Sequence, residues 1–259
     1  MTVILRERGM RKLENMVGKI FDTNRGDKCV IVEYKGCEDV TVEFIGDYTH
    51  RQTTYLGTLR RGCLVNVFKP SVRGVGYVGQ GKYQPSIGGK HTKAYSMWKS
   101  AMTRSYCDNF HSKNPSYKGC TVCDEWHNFQ NFAEWYYSHD LCGLGYDLDK
   151  DLLIKGNKEY SPKACTLLPS EINLLLASNA SRRGKYPQGV SYDGFCDKYK
   201  VTLSAYGKGV NLGRYKNVEE AYEVYKKAKE TYVKERALFW KDSIETKAFD
   251  ALMNWKLDK

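Results

Sequence analysis

The sequence predicts an α+β fold made of three consecutive segments. Three observations lead to it. Short apolar runs broken by turn residues fill the chain before residue 85, and aromatic stripes at helical spacing follow residue 90. Between Gly145 and Asn179 the pattern reads strand, hairpin, strand, helix. The 259 residues are 41% hydrophobic and 27% charged, the balance of a globular chain, which excludes general disorder and fibrous repeats. No apolar run approaches the roughly 20 residues that span a bilayer, so no membrane partner is expected. The start, MTVILRERGMRKLEN, has the pattern of neither a secretory signal nor a transit peptide.

The first segment, 1–85, is expected to be a β-rich module ending in a glycine-rich linker. Cys29–Tyr34, Val40–Ile45 and Cys63–Val67 read as strands, separated by turn signals at Asn24-Arg25-Gly26-Asp27 and Lys35-Gly36. A small barrel or curled sheet follows, suited to docking another protein. Ser71–Gly89 is glycine-rich with Tyr77 and Tyr83. It lacks the strand, Lys-Ser/Thr pair and helix of a phosphate loop, so it reads as a linker, either one that lies along nucleic acid or an inert one.

The second segment, 86–180, opens with an amphipathic helix carrying Tyr95, Trp98, Met102 and Tyr106. Trp126, Phe129, Phe132, Trp135 and Tyr136 make a second aromatic stripe, read as core. Asp147–Ile154 is expected to be a strand, Gly156-Asn157 the hairpin turn and Tyr160–Leu168 the returning strand. A helix starting at Pro169 or Ser170, with Ser170 as N-cap, runs through Ile172, Leu175 and Leu176. The outline is that of a ββα unit.

The third segment, 181–259, is expected to hold a small sheet and a long helix. Gly189–Tyr192, Tyr199–Tyr206 and Val210–Tyr215 read as strands, with Gly207-Lys208-Gly209 as a turn. Val201 and Leu203 point to one face, and Lys200, Thr202, Ser204 and Tyr206 to the other. Asn217 caps the helix, with Glu220 at the capping-box position, and the helix continues to Leu238. Phe239–Leu257 reads as its extension, with Trp240 and Trp255.

Charge separates the segments further. The chain holds 41 Lys and Arg against 30 Asp and Glu, a net +11. Residues 181–216 carry eight basic and two acidic residues, a net +6, whereas 86–180 and 217–259 are each neutral. That is the footprint of a polyanion-binding surface, set against an ordinary solvated basic face. Nine cysteines without a signal peptide point to reduced thiols or a metal site. Cys120-x-x-Cys123 has knuckle spacing. With Cys107, Cys142 and Cys165 flanking the ββα unit, and His111 and His127 nearby, it is a candidate structural Zn²⁺ site, weighed against buried free thiols.

About 85 residues of the middle segment resemble the phage and restriction-enzyme branch of the HNH, or ββα-metal, endonucleases. The resemblance lies in Trp98…Met102…Arg104…Cys107, Val122-Cys123-Asp124-Glu125-Trp126…Phe129…Phe132, Leu148-Asp149-Lys150, Tyr160-Ser161-Pro162, Cys165 and the helical Asn173. Lys150 stands where that family has its water-activating histidine. The pattern is closer to an Asp-Arg…Tyr-x-Pro variant in which a tyrosine and a basic residue replace it. Ala164 stands where an asparagine commonly precedes the cysteine. The resemblance implies Asp149 and Asn173 as ligands of Mg²⁺ or Mn²⁺, with Tyr160 and Lys150 as catalytic residues. The metal would neutralise phosphate charge, and Tyr160 would activate water or attack as a phenolate stabilised by Lys150.

The third segment resembles the ethylene-response-factor type of DNA-binding domain over about 50 residues, GVSYD…YKVTLSAYGKGVNLGRY…NVEEAYEVYKKAK. In that family the sheet enters the major groove of double-stranded DNA. The resemblance implies Arg182, Arg183, Lys185, Lys200, Thr202, Ser204 and Arg214 as DNA contacts. Together the two resemblances imply a metal-dependent DNA endonuclease or nickase in the cytoplasm of a phage-infected bacterium. The competing readings are an inactive, nuclease-derived DNA-binding regulator and an inhibitor that binds another protein through the N-terminal module.

Overall fold

A computed structural model describes residues 15–139, 145–177 and 185–257. The fold is α+β, with helices and several small sheets in two compact units, Met1–Lys82 and Tyr83–Lys259. No helix among the described residues is long and apolar enough to cross a membrane.

In the first unit, strands β1 (Ile20–Asp22), β2 (Lys28–Gly36), β3 (Asp39–Ile45) and β4 (Arg51–Thr54) form an antiparallel meander in sequence order. Alternation along β2 and β3 turns Cys29, Ile31, Val40, Val42 and Phe44 inward. They meet Leu56 and Leu59 of the short helix α1 (Leu56–Arg60) and the loop residue Leu64. The expected strand Cys63–Val67 is absent: this run is irregular and supplies Leu64 to the core. The fourth strand is instead the polar Arg51–Thr54, whose backbone pairs with the free edge of β3. The sheet is open rather than a closed barrel, with β1 and β4 at its edges.

The second unit begins with a tight hairpin of β5 (Ser86–Ile87) and β6 (Lys90–His91). Its turn, Gly88-Gly89, has φ of +57° and +78°, which only glycine takes without strain. Helix α2 (Lys93–Tyr106) is capped by Thr92, whose hydroxyl accepts the Tyr95 amide at 3.3 Å. Helix α3 (Asp108–Lys113) leads to β7 (Thr121–Val122), and helix α4 (Phe129–Tyr137) packs on α2. Trp126, Phe129, Phe132 and Tyr136 of the aromatic stripe are fully buried, as expected, with Trp135 half-buried, and Trp98 of α2 is buried too. Trp98 Nε1 donates to the Trp126 carbonyl at 2.7 Å, satisfying the one polar atom its indole brings inside.

Strand β8 (Tyr146–Asp149) pairs antiparallel with β10 (Thr166–Pro169), and α5 (Ser170–Leu176) follows directly. The ββα order is thus present, but the strands are shorter than expected and the connection longer. The chain leaves β8 at Asp149, and Glu159–Tyr160 (β9) pairs in parallel with β7 instead of returning along β8. Pro169, not Ser170, occupies the N-cap position of α5, and the Ser170 hydroxyl donates to the Gly145 carbonyl.

Strands β11 (Val190–Asp193), β12 (Lys198–Ala205) and β13 (Lys208–Tyr215) form an antiparallel sheet backed by the long helix α6 (Val218–Phe239). Val201, Leu203 and Ala205 face Ala221, Tyr225 and Tyr232 of α6. Asn217 caps α6 as expected, accepting the amides of Glu219 and Glu220 at 2.7 and 3.3 Å. The helix stops at Phe239, and α7 (Thr246–Met253) folds back on it rather than extending it. Leu168 and Ile172 of the ββα region share one hydrophobic cluster with Val233 and Ala237 of α6 and Ala248 and Leu252 of α7. The second and third sequence segments are therefore joined by a common core.

Candidate functional site

Two clusters in the second unit carry chemistry, one at the end of β8 and one on the sheet of β11, β12 and β13. In β8, Tyr146 and Leu148 are buried while Asp147 and Asp149 share the opposite, half-buried face. Asn173 from α5 meets Asp147, its Nδ2 donating to Oδ2 at 3.5 Å. Asp149 turns the chain out of the strand: its Oδ1 accepts the amides of Asp151 and Leu152 at 2.9 and 2.7 Å. Burial pushes the Asp149 carboxyl above its ordinary pKa, and the two amides offset part of that rise. The structure thus pairs Asn173 with Asp147, an acid that sequence reasoning missed. The alternation Tyr-Asp-Leu-Asp already placed both acids on one face.

Two carboxylates and a carboxamide are hard oxygen donors, and that chemistry fits Mg²⁺ or Mn²⁺. Rotating the Asn173 amide by 180° about its terminal bond would present Oδ1 in place of Nδ2. Asp147, Asp149 and Asn173 are the residues that would hold such an ion.

Lys150 is almost wholly buried. Its ammonium pairs with Asp151 and donates to the Asn157 carbonyl at 3.1 Å. Asn157 in turn donates to the carbonyls of Lys150 and Glu159, clipping the connection closed. Lys150 Nζ lies 5.9 Å from the Tyr117 ring centre and 6.0 Å from that of Tyr160. It lies over these rings at the outer range of a cation–π interaction.

Tyr160 differs most from expectation. It is 1% exposed, and burial drives its phenol pKa well above the ordinary value. The cation whose charge bears on its hydroxyl is Arg104 of α2, not Lys150. A buried, neutral phenol is poorly suited to be the general base or nucleophile that the sequence suggested. The pairing of β7 with β9, which sinks Tyr160 beneath α2, joins segments far apart in the chain and leaves no local signal.

The candidate zinc ligands differ in exposure. Cys120 and Cys165 are buried and Cys107 and Cys123 half-buried, while Cys142 lies outside the described residues. Among the described residues no three His, Cys, Asp or Glu side chains gather into a metal-holding group. Burial raises the thiol pKa of Cys120 and Cys123 and pushes Cys165 up to about 12. His111 and His127 are engaged by the carbonyls of Arg104 and Val122.

On the sheet, Lys200, Thr202 and Ser204 alternate away from the α6 face, as expected. Lys200 stands directly across from Arg214 in the antiparallel register. Like charges opposite one another destabilise a sheet unless an anion lies over them. Arg214 Nε is held by Asp193 Oδ2 at 2.8 Å, and Lys200 has no carboxylate partner among the described residues. Lys185 is exposed, with Nζ 5.8 Å from the Tyr186 ring centre. Arg182 and Arg183 lie outside the described residues. Compared with family models, curated proteins and solved structures, the chain matches none.

Proposed function

We propose that the chain is a phage-type, HNH-like protein that binds double-stranded DNA through the β11, β12 and β13 sheet and cleaves or nicks it with a divalent metal at Asp147, Asp149 and Asn173. The observation that carries this reading is the shared core of the two sites. Leu168 and Ile172, beside the acid–amide cluster, pack on the same helix α6 that backs the cation-bearing sheet. What supports the reading is that sheet and cluster are tied to one common helix. When bound, the ion would supply charge neutralisation at the phosphate. The chain's own contribution is to orient three oxygen donors and to grip the duplex with Lys200, Arg214 and Lys185.

Cation-mediated binding is tested by fluorescence anisotropy on a labelled duplex over a salt series. Affinity is expected to fall steeply with salt, because condensed counterions are released on binding. Weak binding with no salt dependence would overturn the sheet assignment.

A second reading has its own support. Tyr160 is buried and Lys150 is occupied by Asp151, so neither is poised to take a proton from water. A non-catalytic DNA-binding regulator needs only the sheet. Tight binding without cleavage in Mg²⁺ or Mn²⁺ would select it.

A further inference from the structure

We propose that Phe195, at the tip of the β11–β12 hairpin, is a wedge that inserts at a base step of double-stranded DNA and bends the duplex. The inference rests on the DNA-binding reading and deepens it: it names how the sheet engages its ligand beyond the phosphates.

Phe195 is 99% exposed, and the next most exposed large hydrophobic side chain among the described residues, Leu174, is 73% exposed. A single apolar residue in solvent is ordinary. What sets this one apart is that the turn carrying it, Gly194–Asp197, is tied down at both ends. The Asp193 carboxylate bridges two groups: Oδ2 accepts Arg214 Nε at 2.8 Å, and Oδ1 accepts the Phe195 amide at 3.2 Å. The Cys196 amide donates to the Asp193 carbonyl at 3.2 Å. At the far end Asp197 takes a left-handed φ of +51° and accepts the Tyr192 hydroxyl at 2.5 Å. The Tyr192 ring in turn packs on Tyr199 and Tyr186, with ring centres 5.6 and 6.4 Å away. A backbone held this way loses little freedom when the ring it carries is gripped.

The cations beside the tip identify the ligand. Lys198 stands across from Asp193 and Lys200 across from Arg214, so all four side chains share the sheet face turned from α6. Because one carboxylate joins Arg214 to the Phe195 amide, the ring rises beside these cations and not at the opposite end of the sheet. Both acids of the hairpin are already engaged, Asp193 by Arg214 and Asp197 by Tyr192. A protein partner would call for a contiguous apolar patch, and the rest of the turn is Gly194, Cys196 and Asp197. One flat ring flanked by cations instead matches stacked base pairs flanked by phosphates. Apolar side chains inserted at a base step partly unstack it and bend the duplex by about 20–90°.

The test uses the full chain, without metal, and a duplex of about 20 base pairs rich in TA steps, which unstack readily. The duplex carries donor and acceptor dyes at its two ends. Saturating wild type is expected to raise the energy transfer between them as the duplex bends. Phe195→Ala removes a side chain that lies almost wholly in solvent, so tryptophan fluorescence is expected to stay native. It is expected to bind about 5- to 10-fold more weakly, the low end for a lost aromatic–base stack because unstacking offsets part of it. Its salt slope should be unchanged and the transfer should remain that of free DNA. Phe195→Leu, a smaller apolar wedge, is expected to restore part of the bend. If wild type binds without raising the transfer, or Phe195→Ala raises it equally, the wedge is overturned and the DNA-binding reading stands. If wild type binds no duplex, both fall. A dimer in sedimentation that Phe195→Ala dissolves would give the tip to a second copy of this chain and also overturn the proposal.

Discussion

Gly189→Ala tests how the sheet of β11, β12 and β13 is seated on α6. Gly189 precedes β11 with φ of +77°, and a Cβ built there would lie 2.0 Å from a ring carbon of Tyr225. Two costs follow. A positive φ costs a non-glycine residue about 1 kcal/mol, and displacing the packed ring adds overpacking of about 1–3 kcal/mol. The sum is about 2–4 kcal/mol, a large part of ordinary domain stability. Gly207→Ala separates the two, because Gly207 has φ of +72° with nothing within 4 Å of the added Cβ. It should lose only the backbone cost, about 1 kcal/mol. All five tryptophans follow Lys82, so tryptophan-monitored urea unfolding reads the second unit alone. Equal losses for the two variants would refute the close seating of β11 on Tyr225, and with it the geometry assigned to the sheet.

A pair at the foot of α7 makes stability depend on pH. His139 Nε2 lies 3.3 Å from Glu245 Oε1, and Thr166 donates to Oε2 at 2.5 Å. The hydrogen bond to Glu245 holds the His139 pKa above 6.5, so its contribution is full below pH 6.5 and lost as pH rises through the higher folded value. Burial works to raise the Glu245 pKa, but His139 and Thr166 outweigh it and bring it to about 2, so its contribution is full above pH 4.5 and lost on descent toward 2. The stability margin of wild type over His139→Gln should therefore peak between pH 4.5 and 6.5, and a margin flat in urea midpoints across pH would contradict the pairing. On the sheet, replacing both Lys200 and Arg214 with Ala should flatten the salt slope of duplex binding by about 1.8, near 0.9 for each phosphate no longer neutralised. An anisotropy series with an unchanged slope would remove these two residues from the interface.

The parts of this fold that were legible in the sequence are those set by local periodicity. Val201, Leu203 and Ala205 alternate with Lys200, Thr202 and Ser204, and that pattern alone oriented β12 on its helix. Asn217 followed by two glutamates announced the start of α6 through its spare side-chain acceptor. The stripe around Phe129 read correctly as core because helical spacing gathers it on one face. What failed depended on distant partners. Arg51–Thr54 is too polar to look like a strand, yet the free edge of β3 recruits its backbone. Cys63–Val67 looks like a strand, yet it serves the core as an irregular run. Tyr160 is sunk by a parallel bridge to Val122, and the charge of Arg104 bears on it from α2, so neither its burial nor that charge is written near it. Asp147 was readable from the alternation in β8, and its pairing with Asn173 came only with the packing of α5.

The central claim is that the Asp147, Asp149 and Asn173 cluster supports metal-dependent cleavage of DNA held by the neighbouring sheet. Supercoiled plasmid incubated with the full chain in Mg²⁺ or Mn²⁺, beside Asp149→Ala, tests it most directly. The account predicts conversion to nicked or linear DNA by wild type. It also predicts loss of that conversion in Asp149→Ala, with duplex affinity retained. Plasmid left intact by wild type in both metals, or cut equally well by Asp149→Ala, would contradict it.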